Sequence, residues 1–512
     1  MKSTDVIVVG SGMAGLSTAC LLARDGLRVQ VLERNWLPGG CSSSYPRKGY
    51  VFESGATTLV GLDPGMPLRH LLDETGIQLA PLLLDLPMRV YLRDGRPIER
   101  HHNLESWIQE AERVFGPAGQ RAFWTYCYAV SRFVWDTSLC QRAFPPSALR
   151  DLLVAARNFH PAQLRFATLA FRSMRWLLRR HGLDQHQDFV DFVNEQLLIT
   201  AQNHLDEVNV LFGATALCYT NFGNYYMPGG LVELVNPLID YLRSQGSEVV
   251  LRAPVTRIAR AGDGYRVETR YRQEAQVYHA PRVVCAIPAN NVLDLFDDDR
   301  VRQHLRPHLL DSPQLNSAFQ LGFAMRRGRD YSSLHHQIHL PAPLPYTGSH
   351  SIFLSLSHPA DSLRCGPDEV VGSVSTHVPD PARCTIEDKE QVAAAIFDVL
   401  EARGLLRRED LLYWHASTPG SWEKWTGRAW GFVGGYPQYL RIKPWQMLDA
   451  RLDHRGAYLC GDSAYPGQGI PGACLSGIIA YEKMKLDGLP APISPHRTTA
   501  RSDDRTRAIP AG

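Results

Sequence analysis

Asp5-Val6-Ile7-Val8-Val9-Gly10-Ser11-Gly12-Met13-Ala14-Gly15 reads as a strand, a glycine-rich turn and the opening of a helix. The β-branched apolar run 5–9 suits a strand buried on both faces. Helical periodicity continues through Leu16, Ala19, Leu22 and Ala23 and stops near Gly26; a second strand runs from Arg28 to Leu32 and ends on Glu33. In such a βαβ unit the first glycine allows the tight turn, the second lets backbone touch a pyrophosphate, and the third lets helix and strand pack closely. The helix N-terminus offers unpaired N–H groups and a positive dipole to phosphate. Glu33 stands where an acid accepts hydrogen bonds from a ribose, and its charge disfavours a 2′-phosphate. A lone GxGxxG is a weak signal, but here strand, helix and terminal acid accompany it, so residues 10–33 read as a dinucleotide site.

The next residues argue for FAD rather than NAD. Arg34 leads to Pro38-Gly39-Gly40-Cys41-Ser42, and then to Tyr50-Val51-Phe52-Glu53-Ser54-Gly55-Ala56. Paired glycines let backbone approach a second stretch of phosphate, as a longer dinucleotide requires. Near the other end, residues 456–477 read GAYLCGDSAYPGQGIPGACLSG. A strand from Ala457 to Cys460 is expected to run into Gly461-Asp462 and a turn, with a helix from about Ala473. An acid at a strand end beside a helix N-terminus suits a ribityl hydroxyl and a flavin edge. The GxGxxG of residues 467–472 is not read as a second nucleotide site, because no strand directly precedes it and Pro471 falls in the turn.

The run E-x5-G-G from Glu33, followed by Phe52-Glu53-Ser54-Gly55, resembles the flavin-binding segment of the phytoene desaturase and carotenoid isomerase family. That family also includes retinol saturase-like enzymes and lies in the amine oxidase-like flavoprotein superfamily. Gly461-Asp462 with the PGQGIPG turn is similar to its closing motif. Pro228-Gly229-Gly230, with the helix and strand leading to Val255, is similar to its middle segment. The resemblance implies FAD held by Gly10, Ser11, Gly12, Met13, Ala14, Gly15, Glu33, Arg34, Gly39, Gly40, Cys41, Ser42, Val255, Gly461, Asp462, Gly469, Ile470 and Pro471. Val255 would contact adenine through its backbone. Many superfamily members carry arginine just after the paired glycines, where this chain has Cys41.

The expected fold is α/β: a Rossmann-type FAD-binding domain, discontinuous in sequence, with an inserted mixed α+β substrate domain. Residues 1–80, 221–290 and 431–489 form the FAD-binding parts. Residues 81–220 form a helical insertion and residues 291–430 the sheet and helices of the substrate domain; 490–512 read as a disordered tail. The 512 residues carry a net charge of +2 and no long like-charge run, which gives no case for a nucleic-acid partner. Ten cysteines without metal-like spacing suit a reducing cytoplasm, and no signal peptide or membrane span is read.

By the resemblance the substrate is a long apolar polyene, and desaturation by hydride transfer to flavin is the favoured activity, with cis–trans isomerisation or saturation as alternatives. An amine-oxidising flavoenzyme and a non-enzymatic FAD scaffold are the rivals of other kinds. No catalytic acid, base, metal set or electron acceptor is assigned, because the cofactor carries the hard chemistry. Residues 144–180 interleave Arg150, Arg157, Arg165, Arg172, Arg175, Arg179 and Arg180 with Leu152, Leu153, Phe159, Phe166, Phe171, Trp176 and Leu177; Asp151 is the only acid. This is either a peripheral membrane face or a helix pair whose arginines face water.

Overall fold

The computed structural model describes residues 2–271 and 274–492. Most of the stretch read as a disordered tail lies outside the described residues.

Five parallel strands build the sheet that begins the chain, in the order Glu248–Val250, Val29–Leu32, Val6–Val9, Arg282–Cys285, Ala457–Leu459. Its members come from all three of the segments expected to bind the cofactor. Every residue of Val6–Val9 is buried, because both faces of the sheet are covered. On one face lie the helices Met13–Arg24, Val232–Ser244 and Gly469–Asp487. On the other, Ile7, Val9 and Leu32 pack with a smaller four-stranded sheet through Ile258, Tyr265 and Val267.

A second, seven-stranded sheet runs in the order Leu411–Ser417, Asn316–Arg326, Glu369–Pro379, Ser351–Leu356, His335–His339, Met88–Tyr91, Pro97–Arg100. Phe319, Leu321, Ile352 and Val374 on one of its faces pack against the helix Lys389–Ala402. The last two strands fall within residues 81–220, which the sequence reading took as a helical insertion. They are short and alternate buried with half-buried residues, Met88-Arg89-Val90-Tyr91, so their apolar content is too thin to register as a strand pair.

From residue 104 the insertion is helical, centred on the long helix Gln120–Cys140 and a buried cluster of Trp107, Trp124, Phe189 and Phe192. Residues 144–180 form the helix Leu149–Arg157, a 3-10 run Pro161–Phe171 and a short helix Met174–Arg180. Phe166 is buried and Trp176 half-buried, so neither is an outward-facing anchor. The exposed apolar side chains are Leu149 (73%), Leu152, Leu153, Phe159, Leu164 and Phe171 (57%), joined by Trp445 from a later loop.

The closing helix also starts earlier than expected, at Gly469 rather than about residue 473. Pro471 therefore sits in a first turn rather than a loop. Proline is tolerated there because its missing N–H would have no intrahelical partner anyway.

Candidate active site

The turn after Val6–Val9 bends through Gly10, whose φ of +98° an L side chain rarely adopts. Gly15 is required for another reason. A Cβ on it would lie 2.4 Å from the Gly10 carbonyl oxygen and 2.7 Å from the Ala286 Cβ, so helix and strand could not meet. Gly12 is the opposite case, for a Cβ there meets nothing within 4 Å. It caps the helix Met13–Arg24 and faces open space.

Glu33 fastens this turn to its surroundings. Its Oε2 accepts from the Ser11 amide at 2.8 Å and the Ser11 hydroxyl at 2.6 Å, and its Oε1 accepts from the Asn35 amide at 2.7 Å. Ser11 in turn accepts the Gly39 amide on its carbonyl at 3.0 Å. The two glycine-rich stretches thus face each other, with Gly12 and Gly39 bridged as a parallel pair. A Cβ on Gly40 would touch only Gly12 backbone, 3.5 Å away.

Opposite them, Ala457–Leu459 delivers Gly461 and Asp462 to the same space. A Cβ on Gly461 also meets nothing within 4 Å. Asp462 is not a free acceptor, however. Its carboxylate takes two hydrogen bonds from Arg428 Nη2, at 3.0 and 2.8 Å. Sequence reading did not find Arg428, and no local signal marks it, since 34 residues separate the partners.

All of these groups line one cavity of about 1030 Å³. Every residue named from the sequence as a cofactor contact lines it except Gly15, whose place is packing. The cavity continues beyond the cradle under the inner face of the seven-stranded sheet, past Gln320, Phe353 and Ser375. It then passes between helices past Phe133, Leu211 and Phe212 and reaches the rim at Phe159 and Trp445, both about half exposed. The inner sheet face carries buried imidazoles that are held neutral. Burial pushes His335 and His339 down to about 3 and His336, on the sheet's other side, down to about 4. His335 joins Ser355 through Nδ1 and Thr58 through Nε2.

The model of the flavin containing amine oxidoreductases matches residues 13–482. The chain belongs to that family. Among curated relatives it is similar to prolycopene isomerase 2 of an Oncidium hybrid cultivar, 24% identical across 94% of this chain and 84% of the relative. It is equally similar to the carotenoid 3,4-desaturase of Haloarcula japonica, 24% identical across 95% of this chain and 99% of the relative. Among solved structures, an oxidoreductase from Methanosarcina mazei superposes with a TM-score of 0.60 at 15% identity, over 94% of this chain and all of the other, which establishes a shared fold.

The family's cofactor is a flavin, and the residues of this chain fit FAD. Gly12, Gly40 and Gly461 leave room on three sides of the cradle where side chains would intrude. A helix N-terminus faces that room with its amide hydrogens, and the Glu33 carboxylate lines it beside Ser11.

Proposed function

We propose that this flavoenzyme oxidises a long apolar polyene of the carotenoid kind, as a desaturase. The observation that carries the reading is the continuity of the cavity, from glycine cradle through an apolar passage to an apolar rim. A polyene has negligible solubility in water, so a passage opening on an apolar surface suits it. The names of the similar proteins support the same substrate class. The eighteen residues named from the sequence serve, in this reading, as the FAD contacts and their packing support. Bound flavin supplies the hydride acceptor. The chain's own part is to orient the polyene along the cavity and exclude water.

The rim is proposed as the face that meets a membrane. Leu149, Leu152 and Leu153 are exposed on the helix that also carries Arg150 and Arg157, Leu164 and Phe171 are exposed on the 3-10 run that follows, and Phe171 meets Trp445. No helix among the described residues is long and apolar enough to cross a bilayer, so the contact would be peripheral.

A second reading, cis–trans isomerisation, is favoured by the prolycopene isomerases among the relatives. Pigments extracted from cells that make a polyene and express this chain separate the readings. Desaturation lowers the mass by two hydrogens per step and moves absorption to longer wavelength. Isomerisation leaves the mass unchanged and alters retention. Unaltered pigment, together with bleaching of the bound flavin by an amine, would replace both with amine oxidation.

A further inference from the structure

Arg428 is held as few surface arginines are. Its Nε donates to the Phe432 carbonyl at 2.7 Å, its Nη2 donates to both Asp462 oxygens, and its guanidinium lies 4.6 Å from the centre of the Phe432 ring. The backbone on either side is pinned as well. The Gly427 carbonyl accepts from Asn291 Nδ2 at 2.8 Å, and the Ala429 amide donates to Asn291 Oδ1 at 3.1 Å. Only Nη1 has no hydrogen-bond partner among the described residues. The side chain is 11% exposed, and the residue lines the cofactor cavity.

Its place within the cavity narrows what it can bind. A Cβ on Gly427 would lie 2.0 Å from Arg34 Nη1, so the 427–428 segment backs onto the residue that follows Glu33. On the other side Arg428 meets Asp462 at the end of the last parallel strand. Arg428 therefore stands between the ribose end of the cradle and its far end. Cys41, directly after the paired glycines, is close enough for its thiol to feel both Arg428 and Asp462. Burial works most strongly against the arginine's charge, but Asp462, Cys41 and Tyr436 together outweigh it and hold the group above its ordinary value.

We propose that Arg428 binds the diphosphate of the flavin dinucleotide through Nη1, and that Asp462 is a positioning residue that aims it. The proposal rests on the FAD reading. A guanidinium suits a phosphate oxygen because its donors are fixed and charged. Here three hydrogen bonds and a ring fix the orientation before the anion arrives, so little rotamer freedom is lost on binding. The neighbouring Cys41 position explains how the chain manages without an arginine after Gly39-Gly40: the cation reaches the same region from residue 428.

The test compares the parent with Arg428→Gln, Arg428→Lys and the double variant Arg428→Gln/Cys41→Arg. Flavin content of the purified protein and FAD affinity by flavin fluorescence are measured, with ADP and adenosine as competitors. Arg428→Gln is expected to fold with a lowered ligand-free thermal midpoint, because Asp462 loses its partner, and to bind FAD and ADP at least tenfold more weakly, with adenosine unchanged. Cys41→Arg in that background is expected to recover part of the loss. Parent-like affinity for FAD and ADP in Arg428→Gln would overturn the proposal, and so would an equal loss for adenosine, which marks a merely structural pair. If Arg428→Gln fails to fold, Arg428→Lys decides. It is expected to bind ADP more weakly than the parent, and parent-like ADP affinity would overturn the proposal. A parent protein that binds neither FAD nor ADP would instead refute the FAD reading itself.

Discussion

Arg451 forks onto Asp151, with Nη1 donating to Oδ2 at 2.5 Å and Nη2 to Oδ1 at 2.9 Å, and neither side chain reaches solvent. The arginine reaches on to Asp487 in the closing helix, at 2.7 and 3.0 Å, while Lys483 lies 3.6 Å from Asp151. The one acid in the basic stretch 144–180 is thus the bolt that fastens the rim helix Leu149–Arg157 to the cofactor domain.

Removing one partner of a buried pair leaves the other charge uncompensated, at a cost of about 3–5 kcal/mol. Asp151→Asn is therefore expected to lower unfolding stability by that order in urea titrations. The rim helix should become the first segment to exchange its amide hydrogens. A loss below about 1 kcal/mol would mean that Asp487 alone satisfies Arg451.

Gly12 and Gly15 are three residues apart and should fail differently. Gly12→Val places its side chain in open space, so the protein is expected to fold with near-parent thermal stability and carry no flavin. Gly15→Val drives a side chain into the Gly10 carbonyl and Ala286, and is expected to accumulate as insoluble protein. Flavin absorbance per folded protein, beside circular dichroism, distinguishes the two. Full flavin occupancy in Gly12→Val would place the diphosphate elsewhere.

Membrane binding, where it occurs, should follow the leucines rather than the arginines of the last short helix. Arg175 pairs with Asp206 at 2.6 Å and Arg179 with Asp184 at 3.5 Å, while Arg172 and Arg180 lie over the Trp176 ring. Changing Leu149, Leu152, Leu153 and Leu164 together to Ser is expected to abolish flotation with liposomes and leave flavin content intact. Changing Arg172, Arg175, Arg179 and Arg180 together to Gln is expected to reduce flotation only modestly. The reverse order of effects would relocate the contact.

Buried histidines, three of them on the strand His335–His339, give the fold an acid limit. His335, His336 and His339 have folded-state values of about 3 to 4, set by burial, against 6.5 for a free imidazole. Above pH 6.5 both folded and unfolded chains hold them neutral, and stability is at its full value. As pH falls below 6.5 only the unfolded chain takes up protons, so stability is lost down to about pH 3. Each group contributes up to about 1.4 kcal/mol per pH unit. Replacing His336 with Gln should flatten the slope of melting temperature against pH between 6 and 4, and an unchanged slope would show that His336 does not contribute to the acid limit.

What the sequence reveals and what it hides divide along chain distance. The turn at Gly10–Gly15, the acid at Glu33 and the strand before Gly461 are legible because strand period, helix period and glycine positions agree within some thirty residues. The strands Met88–Tyr91 and Pro97–Arg100 are not. Met88–Tyr91 joins the sheet through His335–His339, more than two hundred residues away; Pro97–Arg100 pairs only with Met88–Tyr91, and each of the two keeps only two fully buried residues. Arg428 was hidden for the same reason, since nothing near it announces Asp462. The arginines of 144–180 looked alike in sequence, but their partners, Asp184 and Asp206 among them, lie outside that window.

The parallel sheet places the first strand made, Val6–Val9, at its centre and the last, Ala457–Leu459, at an edge, and the closing helix lies directly on the first one. A Cβ on Gly477 would stand 2.3 Å from the Ala14 carbonyl oxygen. On the ribosome, then, the N-terminal cradle waits through the synthesis of more than four hundred residues before its other wall exists. A chain that stops short of residue 457 has an open sheet edge at Arg282–Cys285 and lacks Gly461, Asp462 and the closing helix, the other wall of the cradle.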